Sequence, residues 1–200
     1  WLPLYHDMGL IGCVMPAMMF VAELTLIPPE VFLAKPSIWL RAISQYKGII
    51  SPAPNFAYAL AAERVTDDEM EGVDLSCWQY ALNGAEPVNA STMRAFIERF
   101  SRWGLSPESL NPVYGLSEAA LAVTFADGEA PFRSTVFDRD ALASGLAKPA
   151  EVGVELVSVG RPLRGFSIQI RDDSRDSVAD ETVGDLWVRG PSVMERYLDG

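Results

Sequence analysis

A hydroxyl and a carboxylate stand side by side at Ser117 and Glu118, closing the segment Tyr114-Gly115-Leu116-Ser117-Glu118. An apolar run, Leu110 to Val113, leads into them and reads as a buried strand. Phosphoryl chemistry needs such groups, because charge on the phosphoryl oxygens must be met by a cation and by donors held in place. Glu118 can give one oxygen to Mg²⁺, which prefers a few carboxylate oxygens together with phosphates and waters. Ser117 can hydrogen-bond a phosphate, Gly115 admits a close backbone approach, and the Tyr114 ring can stack on a base. Taken alone, the same residues also fit a strand that ends in a solvated turn.

Two further stretches bear on that chemistry. Tyr80 to Leu82 is an apolar strand running into Asn83-Gly84-Ala85-Glu86-Pro87, and Asn-Gly is a favoured turn pair. Backbone carbonyls there can read an adenine amino group, while Gly84 and Ala85 leave room for a flat ring; an ordinary strand-to-helix connection is the plainer alternative. His6 is the only histidine. It follows an apolar strand, beside Asp7 and before Gly9, at the strand-to-helix junction where open sheets usually contact ligands. There it can orient a carboxylate or phosphate oxygen, and no serine or cysteine motif accompanies it as a nucleophile. The chain has no G-x-x-x-x-G-K-[ST] loop and no dinucleotide fingerprint. One histidine and two widely separated cysteines, Cys13 and Cys77, argue against a zinc site or a disulfide framework.

The elements that must position these residues alternate in the αβ manner. Strands are expected at Leu2 to Tyr5, Glu23 to Ile27, Gly48 to Ser51, Tyr80 to Leu82, Leu110 to Tyr114 and Ala120 to Phe125. Helices are expected from Met8 to Val21, after Pro36, from Asn55 to Arg64, and after a cap at Asn89 or Ser91, where Met93, Phe96, Ile97 and Phe100 repeat at helical spacing. Residues 126–153 lose periodicity. Strands without long helices follow at Val154 to Val159, Phe166 to Arg171 and Asp185 to Arg189, with Gly160-Arg161-Pro162 as a tight turn. The expected organisation is therefore an α/β subdomain over 1–125, an insertion or long loop over 126–153, and a strand-rich subdomain over 154–200.

Composition narrows the class. Nearly half the residues are apolar, which supports a sizeable core. Twenty-seven acids against sixteen bases give a net charge of −11, which argues against nucleic acid or an anionic membrane as the main partner. The apolar run from Gly9 to Ala22 is too short to span a bilayer and is interrupted by Pro16. A reducing cytoplasm fits the cysteine usage. The chain opens at Trp1 in what reads as a strand and stops at Tyr197-Leu198-Asp199-Gly200 in what reads as a turn, so an internal fragment of a longer protein is expected.

In order and spacing, Trp1 to Gly12, Ser51 to Tyr58, Leu75 to Val88 and Asn111 to Thr124 resemble the acyl-adenylate-forming superfamily of acyl-CoA synthetases, luciferases and adenylation domains. Within it the chain is most similar to fatty acyl-AMP ligases. The resemblance implies the layered αβ N-terminal domain of these enzymes, with ATP and Mg²⁺ as cofactors. It implies that a fatty acid is activated to an acyl-adenylate, with release of pyrophosphate, and then passed to an acyl carrier protein or polyketide synthase carrier domain. Asn83 to Pro87 would line the adenine site, and Tyr114, Gly115, Leu116 and Ser117 would flank adenine and α-phosphate. Glu118 would bind Mg²⁺, and His6 would sit at the carboxylate. The helix from Met8 and the segment at Asn55-Phe56 would border the acyl tunnel, with Met15, Met18, Met19 and Phe20 suited to a flexible apolar wall. The stretch 126–153 resembles the insertion by which these ligases differ from acyl-CoA synthetases. The phosphate loop, the ribose-binding aspartate and the catalytic lysine of the family have no counterpart here, so the fragment alone is expected to be inactive. An acyl-CoA synthetase and a non-catalytic nucleotide- or acyl-binding domain are the competing expectations.

Overall fold

The computed structural model of the chain describes residues 1–126, 128 and 130–198. Its strands are Ile50–Ala53 (β1), Tyr80–Asn83 (β2), Leu110–Leu116 (β3), Leu121–Phe125 (β4), Ser134–Phe137 (β5), Val154–Val157 (β6), Arg161–Pro162 (β7), Ser167–Arg171 (β8) and Asp185–Arg189 (β9). Its α-helices are Asp7–Gly9 (α1), Met15–Met19 (α2), Pro29–Ala34 (α3), Ser37–Tyr46 (α4), Asn55–Arg64 (α5), Ala90–Phe100 (α6) and Arg139–Ala143 (α7), with a π-helix at Leu10–Val14. The mixed sheet runs in the order β1-β2-β3-β4-β7. The first three strands are parallel, and β4 and β7 add to them antiparallel. This is an α/β architecture, as the alternation of the sequence predicts.

The core lies between the parallel strands and α4, α5 and α6. Met93, Phe96 and Phe100, at helical spacing on α6, are fully buried. Their aromatic neighbours meet edge to face, with Tyr58 and Phe96 ring centroids 5.0 Å apart and Trp39 and Trp78 5.1 Å apart, a geometry that suits the ring quadrupoles. The Tyr58 hydroxyl donates to the Leu82 carbonyl at 2.9 Å, so this buried polar tip is satisfied, and burial pushes its pKa up. Asn89 starts α6, its side-chain oxygen accepting from the backbone N–H groups of Ser91 and Thr92.

Several local expectations are corrected. Leu2 to Tyr5 is a turn, not a strand: His6 N–H donates to the Pro3 carbonyl at 3.1 Å, and Gly9 packs so close that a Cβ there would lie 2.3 Å from that oxygen. The helix expected from Met8 to Val21 is present to Met19 but passes through a π-turn, with Met15 N–H bonded to the Leu10 carbonyl. Pro16 offers no N–H to continue an α ladder, which accounts for the irregularity. Glu23 to Ile27 has no strand partner among the described residues, and an extended segment without a ladder is not a strand. Arg161-Pro162, expected as a turn, pairs with Phe125 and Thr124 of β4.

The stretch 126–153 is not structureless. It carries β5 and α7, and β5 pairs with β6 across residue 153. Arg94 of α6 clamps this hairpin through two bonds to Glu155, at 3.0 and 2.5 Å, and the Ser134 hydroxyl donates to the same carboxylate at 2.5 Å. Asp127 and Glu129 of this stretch lie outside the described residues. So do Asp199 and Gly200, and with them the turn expected at Tyr197-Leu198-Asp199-Gly200.

Candidate functional site

The carboxyl ends of β2 and β3 point to one side of the sheet, and each delivers one of the motifs there. Asn83 is the last residue of β2 and is fully buried. Its side-chain NH₂ donates to the Asn55 side-chain oxygen at 3.3 Å, and that oxygen also accepts from Asn89 N–H at 3.0 Å. The Asn83 side-chain oxygen has no hydrogen-bond partner among the described residues. Gly84 follows because a Cβ would approach the Val113 carbonyl of β3 to 2.9 Å. Ala85 then takes a left-handed φ of 67°, a conformation costly for any residue but glycine. Glu86 accepts a 2.6 Å bond from Phe56 N–H at the start of α5.

At the end of β3 the register with β4 shifts between Tyr114 and Gly115. A Cβ on Gly115 would sit 1.5 Å from the Leu121 carbonyl, so only glycine lets the two strands meet there. Ala120 and Leu121, the residues that turn the chain back, both have positive φ, 53° and 88°. Strain of this kind persists only where surrounding structure fixes it, and it clusters at functional sites.

The turn Ser117–Ala119 meets the N-terminal segment. The Ser117 hydroxyl donates to an Asp7 carboxylate oxygen at 2.6 Å. The other Asp7 oxygen accepts from Met8 N–H at 2.7 Å and lies 2.8 Å from His6 Nδ1. One small carboxylate thus links the histidine to a serine from a distant motif. Glu118 is half-buried and accepts a hydrogen bond from the Tyr197 hydroxyl. That bond is the main cause holding the Glu118 carboxyl below its usual range, with the Asp7 charge opposing it, and the same bond pushes the Tyr197 phenol up. Glu118 is therefore ionised at neutral pH, which suits a hard divalent cation.

A cavity of about 940 Å³ opens beside these groups. His6, Ala85, Tyr114, Gly115, Leu116 and Ser117 line it, as does Asp7. Asn83, Gly84, Glu86, Pro87 and Glu118 do not. Its lining also includes the apolar residues Met8, Ile11, Pro16, Phe20, Leu24 and Leu26, together with Glu23 and Lys47. Asn55 and Phe56 lie outside the lining, and so do Met15, Met18 and Met19, which are exposed. Cys13 faces the cavity, and burial pushes its thiol pKa up, so it is an inert lining group. Sequence reasoning passed over Asp7 and Tyr197. Asp7 was visible beside His6, whereas nothing local in the sequence marks Tyr197 as a neighbour of Glu118.

The family model described as AMP-binding enzyme matches residues 1–198. A 4-hydroxyphenylalkanoate adenylyltransferase from Mycobacterium tuberculosis is 42% identical over 98% of this chain and 32% of its own length. A medium-chain-fatty-acid–acyl-carrier-protein ligase from Teredinibacter turnerae is 37% identical over 99% of this chain and 32% of its own. Among solved structures, a fatty acyl-adenylate ligase from Legionella pneumophila, in complex with acyl adenylate and pyrophosphate, superposes with a TM-score of 0.94. It is 36% identical, over 100% of this chain and 36% of that one. The chain thus spans about a third of the length of the curated relatives it matches.

Proposed function

The chain belongs to the family of AMP-binding enzymes, and from that premise we propose that the protein it forms part of is a fatty acyl-AMP ligase. ATP and a fatty acid react to acyl-adenylate and pyrophosphate, and the acyl group then passes to the thiol of an acyl carrier protein or polyketide synthase carrier domain. The observation that carries this reading is the cavity of about 940 Å³, whose lining joins polar side chains of two motifs, His6 and Asp7 with Tyr114 and Ser117, to apolar residues such as Ile11, Phe20 and Leu24. An acyl chain needs the apolar lining, and a carboxylate next to a phosphate needs the polar groups. The AMP-forming and carrier-protein names of the relatives support the same reading.

In this proposal His6 orients the carboxylate nucleophile. Asn83 to Pro87 border the adenine, and Tyr114 to Ser117 flank the adenine and the α-phosphate. Ser117 has a single O–H, and it is engaged by Asp7. Donation to a phosphoryl oxygen therefore requires the hydroxyl to turn away from Asp7. Glu118 would hold Mg²⁺, and the half-buried, ionised carboxylate fits that role; the cation would neutralise charge on the phosphates. Residues 126–153 serve as the ligase-type insertion. Among the described residues no helix is long and apolar enough to cross a membrane, and the cytoplasm is the proposed location.

The test is the full-length protein, assayed for acyl-hydroxamate formation with a fatty acid series and ATP, with CoA and holo-carrier protein supplied separately. Acyl transfer to carrier protein with little to CoA is the expected outcome. Rapid acyl-CoA formation, with none on carrier protein, would identify an acyl-CoA synthetase instead. Glu118→Gln is expected to lower the adenylation rate by about a hundredfold or more without loss of fold, since electrostatic groups at the transferring phosphate carry effects of that order. Near-normal activity in this variant would remove Glu118 from the mechanism.

A further inference from the structure

The segment that follows β9 does not run free. It lies across the Ser117–Ala119 turn and is bonded to it at three places. Met194 N–H donates to the Glu118 carbonyl at 2.7 Å, and the Ser192 hydroxyl donates to the Ala119 carbonyl at 2.6 Å. The third bond is from the Tyr197 hydroxyl to the Glu118 carboxylate. The first joins backbone to backbone and the second a serine side chain to backbone, so the phenol is brought to Glu118 by an anchored strap and not by a loose side chain.

We propose that Tyr197 is a positioning residue for Glu118, holding its carboxylate ready for a divalent cation. A glutamate in contact with water samples several rotamers, and binding a cation in one of them costs the entropy of the rest. Glu118 is half-buried, and the Tyr197 phenol settles one of its oxygens before any ligand arrives. A carboxylate offers about four lone-pair sites, so accepting one hydrogen bond leaves capacity for a cation. Tyr197 thus acts through Glu118, and the inference rests on the reading of Glu118 as the Mg²⁺ ligand. It extends the site to a residue 79 positions further along the chain, contributed by the strand-rich part of the molecule.

The experiment uses the full-length protein and two readouts. One is Mn²⁺ affinity in the presence of ATP, followed by electron paramagnetic resonance. The other is the Mg²⁺ concentration giving half-maximal pyrophosphate release, measured together with kcat at saturating Mg²⁺. Tyr197→Phe removes the hydroxyl and keeps the ring. It is expected to weaken Mn²⁺ binding and raise the Mg²⁺ requirement about fivefold, the scale of one typical net hydrogen bond. The kcat at saturating Mg²⁺ and the thermal midpoint should stay close to wild type, a split that a purely structural role would not produce. In a Glu118→Gln background the same substitution should change Mn²⁺ affinity no further. Unchanged Mn²⁺ affinity in Tyr197→Phe, with weakened affinity in Glu118→Gln, would overturn this proposal alone. Unchanged affinity in Glu118→Gln would overturn the reading of Glu118 and this proposal with it.

Discussion

Two bonds from the Arg94 guanidinium and one from Ser134 hold the Glu155 carboxyl down to about 2, from an ordinary value of 4.5. The folded pKa is below the unfolded one, so the stability this group contributes is fully present above pH 4.5. It is lost as pH falls from there through about 2. Both side chains keep contact with water, and solvent screening makes the pair weaker than its geometry suggests. The Glu155 carboxyl, followed by carbon NMR, should titrate near 2 in the wild type and move towards 4.5 in Arg94→Met. A Glu155 that titrates at the same pH in both proteins would show that Arg94 is not the cause. At this scale the sequence is informative about which residues matter and silent about their partners. Gly115 reads as a position that admits a close backbone approach, and the atom that demands it is the Leu121 carbonyl of the neighbouring strand. Asp7 stands beside His6 in the sequence, but its bond to Ser117 spans 110 positions and has no local signature.

Elements were legible where the signals are local. The α6 helix shows its cap, its spacing and its charged outer face within a dozen residues, and Asn89 is its N-cap as the sequence predicts. Asn89→Ala should remove acceptors for two otherwise orphaned N–H groups and lower the unfolding free energy by about 1 kcal/mol. Denaturant melts of the full-length protein will check this, with the midpoint shifted and the slope unchanged. An unchanged midpoint would mean that water replaces the cap at no cost. Where pairing is non-local the sequence misleads. Glu23 to Ile27 has strand-like residues but no ladder, while Arg161-Pro162 looks like a turn and is held by β4. Periodicity reports a face to bury. It does not report whether a neighbouring strand exists, and β5, hidden in the aperiodic stretch 126–153, is defined by its pairing with β6 and a bridge to Pro149.

Across the whole molecule, burial is divided unevenly. The aromatic cluster of Trp39, Tyr58, Trp78, Phe96 and Phe100 joins α4, α5 and α6 to the parallel strands, and no residue of that core or of the side chains packed on it lies beyond Val157. β8 and β9 form a two-stranded sheet of their own, with a further bridge from Arg171 to Ser177, and Trp187 of β9 is 40% exposed beneath the Arg171 guanidinium. The site depends on both parts, since Tyr114 to Glu118 comes from the sheet and Tyr197 from the chain after β9. Phe96→Ala should leave a cavity in the middle of the cluster and cost about 3–5 kcal/mol, the usual range for deleting a buried ring. Hydrogen exchange of the full-length protein offers the discriminating readout. Amides of β2 and β3, which open only with the core, should lose protection by that full amount. Amides of β8 and β9 exchange through a smaller local opening that leaves the cluster intact, so their protection should change far less. Equal losses in both regions would mean that the hairpin and the core unfold as one unit. In that case a core mutation would also disturb Tyr197, and metal affinity at Glu118 would fall along with stability.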